Sequence, residues 1–245
     1  MSDAGASVMA ARTAAHAADP LIVATGITKS FHDVDREIEV LRDLSLTVQA
    51  GELIAVVGQS GTGKSTLLNI LGSLERPSAG KVLFEGLDLF ALDERGLADF
   101  RNRKLGFVFQ FHYLLADFNA LENVMMPALI GRVPEQEARE RAERMLAMVG
   151  LADKLHRRPA ELSGGEQQRV AVARAVVQNP RLVLADEPTG NLDPHTADEV
   201  HALFHKLNSE LDVTLIVATH NERLTRSMGR ALRLKDGKLF DEPRN

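Results

Sequence analysis

The 245 residues, 44% hydrophobic and 26% charged, suffice for a full buried core in one large domain or two small ones. A net charge of −5 argues against a broad nucleic-acid footprint, and the lack of any cysteine excludes disulfide and thiol chemistry. The strongest apolar run, Leu53 to Val57, is strand-sized and far short of the roughly 20 residues that cross a membrane.

Residues 1–20, rich in alanine, read as a disordered tail: Asp3 precedes the lone Arg12, and alanines make a poor signal core. From Leu21 to Gln49, apolar and polar residues alternate around the turn-like "HDVDRE", the pattern of antiparallel strands. "ELIAVV" is a buried strand that runs into "GQSGTGKST", and "KSTLLNILGSL" continues as a helix. This is the glycine loop G-x-x-x-x-G-K-[ST] in its required strand-to-helix setting. Gly58, Gln59, Ser60, Gly61, Thr62 and Gly63 bring backbone N–H groups onto phosphate oxygens at the positive end of that helix. Lys64 reaches the β- and γ-phosphates, the Ser65 hydroxyl is a Mg²⁺ ligand, and Thr66 adds a phosphate hydrogen bond. The loop identifies a nucleoside triphosphate site.

From about 92 to 162 helical patterns dominate, interrupted by the apolar strand "LGFVFQ". Gln110, at the end of that strand, has an amide able to reach Mg²⁺ or the nucleophilic water. The basic clusters at 101–104 and 156–158 read as solvated faces. Pro134 stands at the first position of a helix, with Ala138, Ala142, Met145 and Val149 on its buried face and Gly150 closing it. In "LSGGE", Ser163 and Glu166 form a capping box. A cap alone does not require Gly164 and Gly165. Two residues without Cβ atoms let a negatively charged group come close to the helix end.

After Gln178 strand and helix alternate again. "RLVLAD" ends in Asp186, a candidate to hold Mg²⁺ through its water shell, and Glu187, a candidate base for the attacking water; alone, "DEP" also fits a turn with two exposed carboxylates. Asp193-Pro194 is a strong helix start. His220, after "VTLIVAT", falls at the same sheet edge if the strands pack in parallel. The fold class expected is α/β, a glycine-loop ATPase core with an antiparallel β subdomain and an inserted helical subdomain.

"GQSGTGKST", Gln110, "LSGGEQQR", "LVLADE", "NLD" and His220 occur in the order and spacing of ATP-binding cassette (ABC) ATPases, and the chain resembles that family from Leu21 to Phe240. The resemblance implies one cassette over 21–245 with its helical insertion at about 92–162. It implies ATP and Mg²⁺ as ligands, with Glu187, His220 and Gln110 catalytic, and Ser65, Gln110 and Asp186 around the metal. Phe31 takes the place of the aromatic that stacks on adenine. Two copies would pair head to tail, so that Ser163, Gly164, Gly165 and Glu166 of one cap the γ-phosphate held by the other. Asp193 would communicate across that interface, a role that competes with plain helix capping.

A cassette without a span of its own docks on two integral-membrane permease subunits, at the cytoplasmic face of the bacterial inner membrane. The docking region would fall in 110–131. Insertion packing is expected to take most of Phe111, Tyr113, Leu114, Leu115, Phe118, Met125 and Met126, leaving few for the partner. This stretch also resembles cassettes that drive release of outer-membrane-directed lipoproteins, although Ala116 stands where proline is usual. Cassettes of the macrolide-exporter and cell-division types share the same motifs. A soluble ABC ATPase acting on nucleic acid is the alternative of another class, against which stand the negative charge and the absence of heptads and cysteines; no nucleic-acid partner is expected.

Overall fold

The computed structural model describes residues 19–33 and 36–242, so the tail expected over 1–20 lies outside it except for its last two residues. β1 (Ile22–Asp33) and β2 (Arg36–Val48) pair antiparallel, as their alternation predicts. β3 (Leu53–Val57) leads through the glycine loop into α1 (Lys64–Leu71). β4 (Ala79–Phe84) and β5 (Leu87–Asp88) then complete a four-stranded antiparallel sheet in the order β2-β1-β4-β5. α2 (Glu94–Lys104) precedes β6 (Leu105–Phe109), and α3 (Ala120–Ile130), α4 (Glu135–Met148) and α5 (Gly164–Val176) follow. β7 (Leu182–Asp186), α6 (Pro194–Leu211), β8 (Thr214–Thr219), α7 (Glu222–Ser227), β9 (Arg230–Lys235) and β10 (Lys238–Asp241) close the chain.

The second sheet has the order β10-β9-β3-β8-β7-β6, parallel throughout except for β10. Its central strands are apolar on both faces, as a sheet covered on both sides requires. Ala55, Val57, Val183, Ala185, Leu215 and Val217 face a core shared with α3, α4, α5 and α6. Ile54, Val56, Leu182, Leu184, Ile216 and Ala218 face the other core, filled by α1, α2 and the antiparallel sheet. Each strand is thus pinned by two independent layers, and sliding it by one residue would exchange the two sets.

Two local readings are corrected. Pro134 is the N-cap of α4 rather than its first helical residue: its ψ of 142° is extended, and its carbonyl accepts the first helical bond from Ala138 at 2.9 Å. On the buried face of α4, Leu146 is fully enclosed with Ala138, Ala142 and Val149, whereas Met145 is only partly covered.

One buried polar side chain fixes the connection before α3. Asn123, 1% exposed, donates its amide to the carbonyls of Leu115, Phe118 and Asn119 (2.9–3.1 Å) and accepts from the Leu115 N–H at 2.8 Å. Asn123→Ala is expected to lower unfolding free energy by about 2 to 4 kcal/mol, because buried backbone groups lose their partners. Urea denaturation of the two proteins measures it.

Candidate active site

The carboxyl ends of four adjacent parallel strands meet in one row. Val57 pairs with Thr219, Ala218 with Asp186, and Asp186 with Phe109. The next residues along are Gly58, His220, Glu187 and Gln110, so the register itself gathers the glycine loop, the histidine, the candidate base and the glutamine. Ligands of open α/β sheets sit at this edge.

The glycine loop wraps the start of α1. Gly63 is its N-cap with φ 100°, and no side chain caps the helix, leaving its first N–H groups directed at the loop. A Cβ at Gly63 would lie 2.7 Å from the Val40 side chain of β2, so glycine is required here by both conformation and space. Lys64, 8% exposed, donates to the carbonyls of Gly58 (2.9 Å) and Gln59 (3.1 Å), and Thr62 Oγ1 donates to the Gln59 carbonyl at 2.9 Å. Ser65 is exposed and Thr66 half-buried in the first turn of the helix. The cradle fits a polyphosphate: N–H groups, a cation and hydroxyls face one space.

Glu187 is the hub of the edge. Its Oε2 lies 3.0 Å from His220 Nδ1 and accepts from the His220 N–H at 3.4 Å, while Oε1 is 3.7 Å from Lys64 Nζ. Its backbone is in the left-handed region, φ 45°, where a side chain with a Cβ is strained. The N–H of Glu187 donates to Ala218 at 2.9 Å, and Gly190 returns a bond to its carbonyl at 3.0 Å, which closes the turn. Asp186, the last residue of β7, precedes it at the same edge.

Gln110 donates its amide nitrogen to Asn191 Oδ1 at 3.0 Å, which leaves the amide oxygen as the atom available to a cation. Asn191 was not singled out as a site residue in the sequence; the only signal was its place in "NLD". A cavity of about 680 Å³ opens beside Gly58, Gln59 and His220. Arg226 and Arg233 on its wall are already paired with Glu222 and Glu242, so it adds room rather than net charge. Phe31 is exposed on β1, with the Lys29 ammonium 5.0 Å from its ring centroid.

The second helix start, at α5, carries the expected capping box: the Glu166 N–H donates to Ser163 Oγ at 3.3 Å and the Ser163 N–H to Glu166 Oε2 at 2.8 Å. That second bond holds the Glu166 carboxyl below its ordinary pKa. The two glycines have different reasons. Gly164 is exposed, with only Leu192 nearby. Gly165 is buried, and a Cβ there would stand 2.2 Å from Thr196 Cγ2 on α6. Its missing Cβ is therefore also required by packing within the chain, a second reason for glycine beside the approach of an anion. Asp193 accepts from the N–H groups of His195 and Thr196 at 3.1 Å and so caps α6, and the close approach of Gly165 to Thr196 sets the starts of α5 and α6 side by side.

The expected division of apolar residues in 110–131 is also corrected. Phe111, Tyr113, Leu115 and Phe118 are exposed; Leu114 and Met126 are partly covered and Met125 buried. Tyr113 lies against both Phe109 and Phe111, and Leu129 and Ile130 at the end of α3 are exposed as well.

Behind the Glu187 turn, His201 of α6 is 6% exposed, its Nε2 3.2 Å from Thr189 Oγ1. Burial lowers its pKa, opposed by Asp198 and assisted by His205.

The family model for ABC transporters matches residues 41–190. The lipoprotein-releasing system ATP-binding protein LolD of Geobacter metallireducens is 53% identical over 219 residues, 89% of this chain and 97% of that protein. Its namesake from Syntrophus aciditrophicus is 51% identical over 219 residues, with 89% and 98% covered. Among solved structures, a dimeric post-hydrolysis ATP-binding cassette bound to ADP and Pi superposes with a TM-score of 0.84 at 38% identity, covering 91% of this chain and 99% of that one.

Two outcomes are expected. Gly165→Ala destabilises the fold, and adding Thr196→Ser, which removes the opposing methyl, restores its thermal midpoint. For His201, the unfolded form takes up a proton near the ordinary 6.5 and the folded form only at lower pH. Its contribution to stability is therefore present above that value and lost as pH falls through the folded pKa. Thermal midpoints recorded from pH 7 to about 5.5 should fall less steeply in His201→Gln than in the parent.

Proposed function

The chain belongs to the ABC transporter family, and from that premise we propose that it is the ATP-hydrolysing subunit that powers release of lipoproteins from a bacterial inner membrane. The observation that carries this reading is a likeness to lipoprotein-releasing cassettes that runs through nearly their whole length rather than through the ATPase motifs alone. ATP hydrolysis follows from the family itself.

Glu187 accepts a proton from the water that attacks the γ-phosphorus, as the bond from that phosphorus to the bridging oxygen of ADP breaks and phosphate leaves. His220 orients the carboxylate through Oε2, and its own position is fixed by the N–H bond to the same oxygen. Lys64 exchanges the carbonyls of Gly58 and Gln59 for phosphate oxygens. Ser65, Asp186 and the amide oxygen of Gln110 suit Mg²⁺, a hard cation, which supplies charge neutralisation across the phosphates. Phe31 offers its exposed ring to adenine.

Two copies pair head to tail, and Ser163 with the open N–H groups at Gly164 caps the phosphate held by the partner. Gly165 and Glu166 continue the same helix start, and Gly165 additionally lets α6 pack close through Thr196. The apolar surface of Phe111, Tyr113, Leu115, Phe118 and Ile130 receives membrane subunits, two per cassette pair, which holds the protein at the cytoplasmic face. Among the described residues no helix is long and apolar enough to cross a membrane.

Glu187→Gln should keep ATP binding while slowing hydrolysis by about 10²- to 10⁴-fold. Tagged Glu187→Gln protein, captured with Mg-ATP from gently solubilised native membranes, is expected to bring permease subunits with large periplasmic domains and bound lipoproteins. Recovery of a different permease would overturn the substrate, and near-normal turnover would remove Glu187 as base.

A further inference from the structure

Gln168 lies in the helix that carries the phosphate-capping residues, α5, yet its side chain points the other way and is fully buried. Its Nε2 donates to the carbonyl of Pro188 at 2.7 Å and to that of Phe109 at 3.3 Å. Pro188 follows Glu187, and Phe109 precedes Gln110. The β6–β7 register ends at the Phe109–Asp186 pair, so the backbone ladder no longer holds the two chains together where their functional side chains begin. One amide nitrogen takes over and spans the gap.

The arrangement has a cost that packing alone would not select. Two carbonyls must face the donor side of the amide, which turns Oε1 into a buried position with no hydrogen-bond partner among the described residues. A methionine of similar length would fill the space without that acceptor. The same helix grips the loop on the far side of Gln110: Arg174 donates to the carbonyls of His112 and Tyr113, both at 2.7 Å. The backbone around Gln110 is therefore tied to α5 before and after the glutamine, and Gln168 also ties it to the start of the Glu187 turn, while Asn191 meets Gln110 from the turn's far end.

We propose that Gln168 is a positioning residue for ATP hydrolysis, fixing the distance between the Gln110 loop and the Glu187 turn from the helix that caps the partner's nucleotide. It touches no reacting atom. It sets where the glutamine stands relative to the carboxylate, which Ala218, Gly190 and His220 already hold, so its removal leaves the glycine loop and Glu187 in place and misplaces Gln110. The inference rests on the proposed roles of Gln110 and Glu187.

The test uses the full chain with Mg-ATP: Gln168→Met, which removes the donor, and Gln168→Glu, which keeps the shape and turns oxygens toward both carbonyls. Each is made alone and with Gln110→Ala. Steady-state kcat and KM, equilibrium ATP binding and thermal midpoint are measured, with kcat expressed per ATP-binding site. Gln168→Met is expected to lower kcat roughly 10- to 100-fold, with KM and ATP affinity within about twofold of the parent. In the Gln110→Ala background the further loss should shrink to less than about threefold, since the group being positioned is gone. If the Met variant fails to accumulate, Gln168→Glu is read by the same criteria. Unchanged kcat per site, a loss confined to KM, or a loss that multiplies fully with Gln110→Ala overturns the proposal. Full activity of Gln110→Ala alone would instead overturn the reading of Gln110, and this inference with it.

Discussion

The structure depends on the shared register of β3, β8, β7 and β6. Parallel strands bonded in register end within one residue of each other, and the residue after each end is one to which the proposed function gives a role: Gly58, His220, Glu187 and Gln110. No long-range loop has to search for its place. The two buried faces of the sheet make this register expensive to change, because a slip by one residue would swap the sets packed against α5 and α1. Precision at the catalytic edge is thus a by-product of the same apolar burial that holds the domain together.

Helix α5 is the second organising element. Its start carries the capping box and meets α6 through Gly165 and Thr196; its middle holds the Phe109 and Pro188 carbonyls; its end holds those of His112 and Tyr113. A single rigid rod therefore contacts the exposed apolar loop, the glutamine strand and the turn of the base. Motion of the loop that left α5 where it is would have to break charge-assisted bonds from Arg174, which burial makes costly.

Features set by local chemistry were legible in the sequence. The glycine loop, the capping box at Ser163 and the Asp193-Pro194 helix start need only residue types at fixed spacing, because the backbone geometry they serve spans a few residues. The apolar strands were legible as runs of residues, whereas their parallel order is set by pairing between distant segments and stood only as a condition on where His220 would fall. What escaped was set by tertiary contact. That Gly165 also makes room for the Thr196 methyl has no signal in the sequence, because the two residues are far apart in the chain. Gln168 sits in the polar run "EQQR", whose composition carries no sign of burial, yet it is among the most buried polar residues described. The aromatics after Gln110 looked like core because their number suited a core. The pinning of that loop's backbone by Asn123 and Arg174, which holds it without burying those side chains, has no sequence pattern of its own.

The backbone at Glu187, with φ 45°, has one more consequence. Asparagine or glycine would occupy that conformation at lower energy, and neither carries a carboxylate. Selection for a more stable fold and selection for turnover therefore pull this position in opposite directions. With Glu187 as the proposed base, a drift toward stability would reach a well-folded, nucleotide-binding chain that no longer cycles, so the residue would mark where this fold trades robustness for work.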